Sequence, residues 1–296
     1  MADYSAPLRV SWELPSAADK VALHWQRLQE GRVLFVEAFA KPKVPGQLGQ
    51  PDQITSLCAL VAEAEARPGP RLTLVADAEG LGALVGCAAP GFLSTLEGVL
   101  LPPYPDAVEI AKLLVSFRVF TLGLWSTAEG LSHFAEALRL VEGAANIGIS
   151  VMNPTVDERD AVPALTEEDR QRALQAWAAR ATPERVHIHD LFLSETLGLE
   201  PFKNYGGCAA GAGLAHLKAD GTLVACRTLP LYLGDLNTTP LTDIWGGPQR
   251  SETRRGIEAI PHGCGGCELV EVCRGGCPGL AKSLDEADLS CIRAKH

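Results

Sequence analysis

Seven cysteines in the last third of the chain have the type and spacing to hold metal: Cys208, Cys226, Cys264, Cys267, Cys273, Cys277 and Cys291. Thiolates are soft ligands that select zinc or iron–sulfur clusters. The dense block reads Cys264-x2-Cys267-x5-Cys273-x3-Cys277, with Cys291 following after a gap. Gly263, Gly265, Gly266, Gly275 and Gly276 crowd it. Glycine lets the backbone come close to a cluster and aim N–H groups at its sulfur atoms. Cys-x2-Cys pairs also suit structural zinc. Seven thiolates, however, would leave one or two zinc ions unevenly ligated, which favours clusters over zinc and over disulfides.

The remaining pair, Cys208 and Cys226, flanks Leu214-Ala-His-Leu-Lys, Asp220-Gly221 and Thr222-Leu-Val-Ala. Asp-Gly between two apolar runs signals a hairpin, because glycine tolerates the positive φ of the turn. A hairpin returns Cys226 to the end where Cys208 sits. Pro278 directly follows Cys277. Bacterial ferredoxins close a cysteine run with Cys-Pro, and there the last cysteine ligates the other cluster of the pair. By that analogy Cys277 crosses over to join Cys208 and Cys226.

The elements that must position these residues come before them. Short apolar runs at Leu8–Leu14, Val33–Ala38, Leu72–Ala76, Val99–Leu101, Val115–Leu124, Ile147–Met152 and Val186–Phe192 have the length and composition of buried parallel strands. Helical patterns lie between them at Ala17–Gln29, Gln53–Ala66, Thr127–Val141 and Glu167–Ala179. Pro51-Asp52 is a helix start for the second, and Ser126 with Glu129 gives the third a capping box. Such alternation implies an α/β fold with a parallel sheet, and about seven strands favour a barrel-like arc over a short doubly wound sheet. After Leu193 glycine and cysteine become frequent and apolar runs shorten, so bound metal would have to hold that part together. The boundary falls near 194–203, dividing the chain into residues 1–200 and 201–296.

The whole pattern, Cys-x12-Gly-x4-Cys, a gap, Cys-x2-Cys-x5-Cys-x3-Cys, a gap and Cys, resembles the SPASM domain of radical SAM enzymes that mature peptides and proteins. It covers about residues 204–291. Asp220-Gly221, Leu229-Pro230, Gly234-Asp235-Leu236 and Asp243-Ile244-Trp245 fit as well. The resemblance implies two 4Fe–4S clusters. It assigns Cys264, Cys267, Cys273 and Cys291 to one, and Cys208, Cys226 and Cys277 to the other. The second set is one cysteine short. Its fourth iron is open or is bound by a residue such as His216 or Asp220, although an ordinary hairpin role is favoured for both.

A radical SAM enzyme also carries Cys-x3-Cys-x2-Cys after its first strand and a Gly-Gly-Glu-Pro stretch at the end of its second. Here Leu8–Leu14 looks like the family's opening strand, yet Pro15-Ser-Ala-Ala-Asp-Lys-Val-Ala-Leu-His-Trp follows it and no cysteine precedes Cys58. The second strand leads into Ala38-Phe39-Ala40-Lys41-Pro42, where only the proline is in a similar place. The expectation is a partial (β/α) barrel resembling radical SAM enzymes but without SAM, followed by a small Cys-rich SPASM domain with a β-hairpin and short helices. This resembles the SPASM-only companions of the GeoRSP system. It implies an accessory iron–sulfur protein, not itself a radical enzyme, that partners a radical SAM/SPASM enzyme and its peptide substrate through electron transfer or substrate binding. The alternatives are an enzyme using the open cluster as a Lewis acid, and a zinc-stabilised binding module.

Composition narrows the partners. The formal net charge of −10, with no basic stripe, argues against nucleic acid and anionic membrane. No apolar run is long enough to span a bilayer and Met1–Trp12 has no secretory pattern, so the expected location is cytoplasmic. Cys58 and Cys87 are expected to be buried free cysteines. His187 and His189 share one strand face, a spacing metals use, but without carboxylate partners a structural role is favoured. Gly211-x-Gly213-x-x-His216 misses the dinucleotide fingerprint. Trp245 is a packing residue in a short helix opened by Thr239 as N-cap and Pro240 as the first helical residue.

Overall fold

The structure is a computed structural model. It describes residues 4–40, 53–89, 91–142, 144, 147–154, 165–178, 185–199, 207–291 and 293. Seven strands run parallel and in sequential order: β1 (Arg9–Glu13), β2 (Phe35–Phe39), β3 (Arg71–Ala76), β4 (Glu97–Leu100), β5 (Val119–Trp125), β6 (Ile147–Met152) and β7 (Val186–Ile188). The helices between them are α1 (Ala18–Glu30), α2 (Gln53–Ala66), α3 (Ala78–Cys87), α4 (Ala107–Ser116), α5 (Ala128–Ser132), α6 (Phe134–Glu142) and α7 (Glu167–Ala178), and α8 (Leu191–Thr196) follows β7.

Side chains alternate across each strand. One face is apolar and packs on the helices, with Val10, Trp12, Leu74, Leu122 and Ile149 almost wholly buried against Trp25, Leu57, Leu81 and Phe134. The other face is polar near the strand starts, through Arg9, Ser11, Glu37, Thr73, Glu97 and Ser150. Towards the strand ends it becomes apolar, where Phe39, Val75, Val99 and Leu101 form a second cluster with Trp125 and Met152. Residues from all seven parallel strands line one pocket, so the sheet curls around it as an arc.

The sheet does not stop at β1. Strand β8 (Leu214–Leu217) pairs parallel to β1, with Arg9 opposite Leu214 and Trp12 opposite Leu217. Then β9 (Thr222–Val224) and β10 (Tyr232–Asp235) add antiparallel, giving ten strands in all, with β7 and β10 at the edges. Two helices, α9 (Leu241–Trp245) and α10 (Pro248–Glu258), and the single turn α11 (Val270–Cys273) complete the described elements. No helix of the described residues is long and apolar enough to cross a membrane.

Several sequence expectations are corrected. Val115 belongs to α4, which Asp106 caps by accepting from the Val108 and Glu109 amides, so β5 begins only at Val119. The last run ends as strand at Ile188, because Asp190 caps α8 through the Phe192 and Leu193 amides. The helix expected over Thr127–Val141 breaks at His133, and its cap is Thr127, which accepts from the Gly130 amide. Ser126 instead donates to Asn153 Oδ1. Pro240 is the N-cap of α9 and not its first helical residue. The expected start at Pro51-Asp52 lies outside the described residues. Cys58 and Cys87 are not free: a disulfide joins α2 to α3, with the two Cα atoms 6.0 Å apart.

Candidate metal centre

Backbone hydrogen bonds set the hairpin. Lys218 N–H donates to Thr222 O and Gly221 N–H to Lys218 O, and Gly221 sits at φ +98°. A Cβ there would strike the Asn237 side chain, whose amide donates to Asp220 O. Asn237 is in turn held by Lys20 and His24 of α1, so the turn is pinned to the first helix. With His216 opposite Val224, the two arms carry Cys208 and Cys226 to the same end.

Cys277 joins them from the other block. Burial pushes the Cys208 thiol up to about 11, and the Cys226 thiol beside it adds to the shift. Burial holds Cys277 well above the usual thiol range, and Cys208, Asp288 and Cys226 all act in the same direction. The other four lie apart from these. Cys264, Cys267, Cys273 and Cys291 line one pocket. Burial raises Cys273 to about 11, with Cys291 and Cys264 adding to it, and Cys264 is raised by burial and then by Cys291 and Cys267. The seven thiols therefore stand as a set of three and a set of four. The short loop Arg274-Gly275-Gly276 between Cys273 and Cys277 links the sets, and its length keeps those two Cα atoms within about 14 Å.

Thiols crowded without a cation resist ionising, and bound iron would accept their charge, so both donor sets fit a cluster. The peptide N–H groups of Gly275 and Gly276 point at the Cys273 sulfur, that of Gly279 at Cys277 and that of Ala210 at Cys208. Gly275 and Gly276 lie at φ +86° and +83°, conformations that suit glycine. Among the described residues, no three His, Cys, Asp or Glu side chains converge as a single metal ion needs.

Three residues that the cysteine spacing did not single out hold this arrangement. Arg254 of α10 is buried and donates to Cys208 O and Ala210 O, both at 2.8 Å, and to Glu258 Oε1. Asp288 accepts from the amides of Cys277 and Ser290, and burial raises its carboxyl to about 6, with Asp190 contributing. Arg227 follows Cys226 and lies over the stacked rings of Phe39 and Trp125, 4.7 and 4.6 Å from their centroids, while donating to Asn153 O. The two proposed fourth ligands are engaged elsewhere. His216 Nδ1 is 2.9 Å from Ser11 Oγ and its Nε2 is 3.5 Å from Glu13 Oε1. Asp220 lies in the hairpin turn, at the far end from the cysteines, and accepts from the Thr222 amide.

His187 and His189 both face an open cavity of about 530 Å³ that Cys226 also lines. Burial lowers His187, with Arg9 adding to it, and lowers His189 to about 4, with Arg227, His187 and Arg9 adding to it.

Residues 208–277 match the model of SPASM, an iron–sulfur cluster-binding domain. Two curated relatives are AdoMet-dependent heme synthases. The one from Methanosarcina barkeri is 30% identical over 69 residues, and the one from Nitratidesulfovibrio vulgaris is 32% identical over 78. These matches cover 23% and 26% of this chain but 20% and 21% of the relatives, so the chain spans about a fifth of the length of the curated relatives it matches. Among solved structures, Streptococcus suis SuiB bound to its precursor peptide SuiA gives a TM-score of 0.68 at 14% identity, covering 98% of this chain and 77% of that one. The protein anSMEcpe with bound AdoMet gives 0.60 at 14% identity, covering 96% and 91%. The fold is radical SAM-like, with a mostly parallel open sheet and a SPASM segment at its end.

Proposed function

We propose that this protein is an iron–sulfur accessory protein that holds two 4Fe–4S clusters, carries out no SAM chemistry, and partners a radical SAM/SPASM enzyme in peptide or protein modification. The observation that carries this is the separation of seven thiols into a set of three and a set of four on a radical SAM-like sheet. Cys208, Cys226 and Cys277 would hold one cluster, and Cys264, Cys267, Cys273 and Cys291 the other. Bound there, such clusters supply one-electron redox chemistry over a wide range of potential.

The chain's own residues set how that chemistry is used. The amides of Gly275, Gly276, Gly279 and Ala210 direct positive dipoles at cluster sulfurs, and such hydrogen bonds raise reduction potential. Arg254 and Arg293 place positive charge beside one set each. The sets are joined through Gly275–Gly276, which suits passage of an electron from one to the other. Two features of the sheet favour the absence of SAM. Only residues 14–17 connect β1 to α1, fewer than a Cys-x3-Cys-x2-Cys run occupies. At the carboxyl ends of the strands Arg227 packs over Phe39 and Trp125, within an apolar cluster.

Anaerobic purification with iron and sulfide quantified, and EPR after reduction, tests this function. Two reducible clusters are expected. A colourless, zinc-containing protein would overturn it. A second reading has one observation in its favour: Cys226 lines the large cavity, so an open iron in the three-cysteine set would act on a ligand there as a Lewis acid. A change in that cluster's EPR signal when the precursor peptide of the partner enzyme is added would support this reading.

A further inference from the structure

The polar half of the curled sheet borders two adjoining open pockets of about 530 and 590 Å³, which share Arg9, Phe35, Glu37, Ser150 and His187. On one side the wall is the sheet, and on another it is the segment Cys226–Thr228. We propose that this cavity is a binding site for an oxyanion, a carboxylate or phosphate group, held by Arg9 together with His187, His189 and Ser150.

Donors there are only partly engaged among the described residues, Arg9 by an ion pair with Glu37 and His189 by its own backbone. Arg9 lies 3.7 Å from Glu37, beyond a direct hydrogen bond, and half of its side chain is exposed to the cavity. Its guanidinium rests on the Phe35 ring, 5.8 Å from the centroid, which fixes its plane. A guanidinium so fixed presents paired N–H groups to two oxygens of one anion. His187 and His189 are open to the cavity, and the His187 ring has no hydrogen-bonding partner among the described residues. Ser150 stands on the neighbouring strand directly opposite His187 and also lines the cavity. One strand pair and the opening strand thus aim a cation, two imidazoles and a hydroxyl at a common space.

The charge balance has the required sign. The chain as a whole is at −10. On this face, Arg9, Arg71, Arg118, Arg185 and Arg227 stand against Glu13, Glu37 and Glu97, and both Arg71 and Arg118 engage Glu97. Burial lowers His189 first, and the nearby Arg227 and Arg9 guanidinium groups add to it. A locally positive cavity in an acidic molecule attracts an anion and repels little else of its size. Arg9, His187, His189 and Ser150 lie outside the cysteine sets, so variants of these residues test the assignment apart from the accessory function.

The test is calorimetric titration of the anaerobically purified full chain with inorganic phosphate and, separately, with succinate, at ionic strength held constant with chloride. Saturable binding of either is expected. Phosphate alone would mark a phosphorylated ligand, succinate alone a carboxylate, and both the shared oxyanion chemistry. Arg9→Gln should weaken binding by about tenfold or more, the worth of a charge-assisted hydrogen bond. His187→Gln should weaken it less, with the melting temperature unchanged in both variants. Absence of saturable heat for both anions, or unaltered binding in both variants, would overturn the proposal.

Discussion

Cys226 and Cys267 belong to different sets of thiols, and substituting each separates the two. Cys267→Ala should abolish one EPR signal of the reduced protein and leave the other, and Cys226→Ala should do the reverse. Loss of both signals from either variant would count against the partition. The grouping of these seven cysteines was legible in the sequence, because their spacing does not depend on where the backbone goes, whereas the pairing of Cys58 with Cys87 was not. Arg254 was not legible, since nothing in its local pattern distinguishes it from the other arginines of α10. Its importance comes from a fold that brings Cys208 O and Ala210 O to a buried guanidinium. Hydrogen bonds to a charged group contribute about 1.5–3 kcal/mol each, so Arg254→Ala should lower stability by about 3 kcal/mol in denaturant melts. It should also reduce iron content, because the Cys208 loop loses its anchor. Arg254→Lys should rescue poorly, as one ammonium cannot reproduce the flat fork that spans two carbonyls.

Among the elements, the hairpin of β8 and β9 was legible and two helices of the sheet were not. Asp220-Gly221 announces a turn through glycine's tolerance of positive φ, which the turn uses. Gly221→Val would require a branched side chain at φ +98° and push Asn237 out of its contact with α1. The expected cost is about 2 kcal/mol or more, read as a lower melting temperature, with iron lost from the Cys208 set before the other. Helices α3 and α4 escaped because their apolar residues merge with neighbouring strands in the sequence, as Val115 does with β5. Only the capping carboxylates Asp77 and Asp106 mark their starts. The disulfide was hidden for the same reason, since Cys87 ends a helix that the pattern did not show. With a sequence separation of 29, this crosslink should stabilise the fold by about 3–4 kcal/mol on the chain-entropy account. The Cys58→Ser, Cys87→Ser variant should melt correspondingly earlier, and thiol titration of denatured, metal-free wild type should count seven free cysteines.

For the molecule as a whole, alternation of strands and helices was enough to foresee an α/β arc, but not that the cysteine-rich part would extend the same sheet through β8. That pairing links residues more than 200 apart and has no local signal, only the complementarity of two apolar strands. Its consequence is that the three-cysteine set is fixed rigidly to the sheet, with Cys226 and Arg227 facing the interior. We propose that the chain still divides near residue 200 in sequence, even though the two parts share this sheet. The arrangement bears directly on SAM. The Cys-x3-Cys-x2-Cys run of the radical SAM enzymes that the sequence resembles would follow the first strand; here β1 passes into α1 through residues 14–17, and Ser56 ties that turn by donating to Pro15 O. At the same end of the strands the Arg227 guanidinium lies over the stacked Phe39 and Trp125 rings, contacts worth about 0.5–2 kcal/mol each, depending on exposure. The protein, reduced and supplied with SAM, should therefore release no 5′-deoxyadenosine above a protein-free control. Arg227→Ala should not create that activity, because removing that side chain provides space but no iron ligands. Measurable 5′-deoxyadenosine from the wild type alone would overturn the accessory function while leaving the two thiol sets intact. Its appearance only with a radical SAM/SPASM partner, at a rate that rises with this protein's concentration and falls with Cys267→Ala, is the result the proposed function expects.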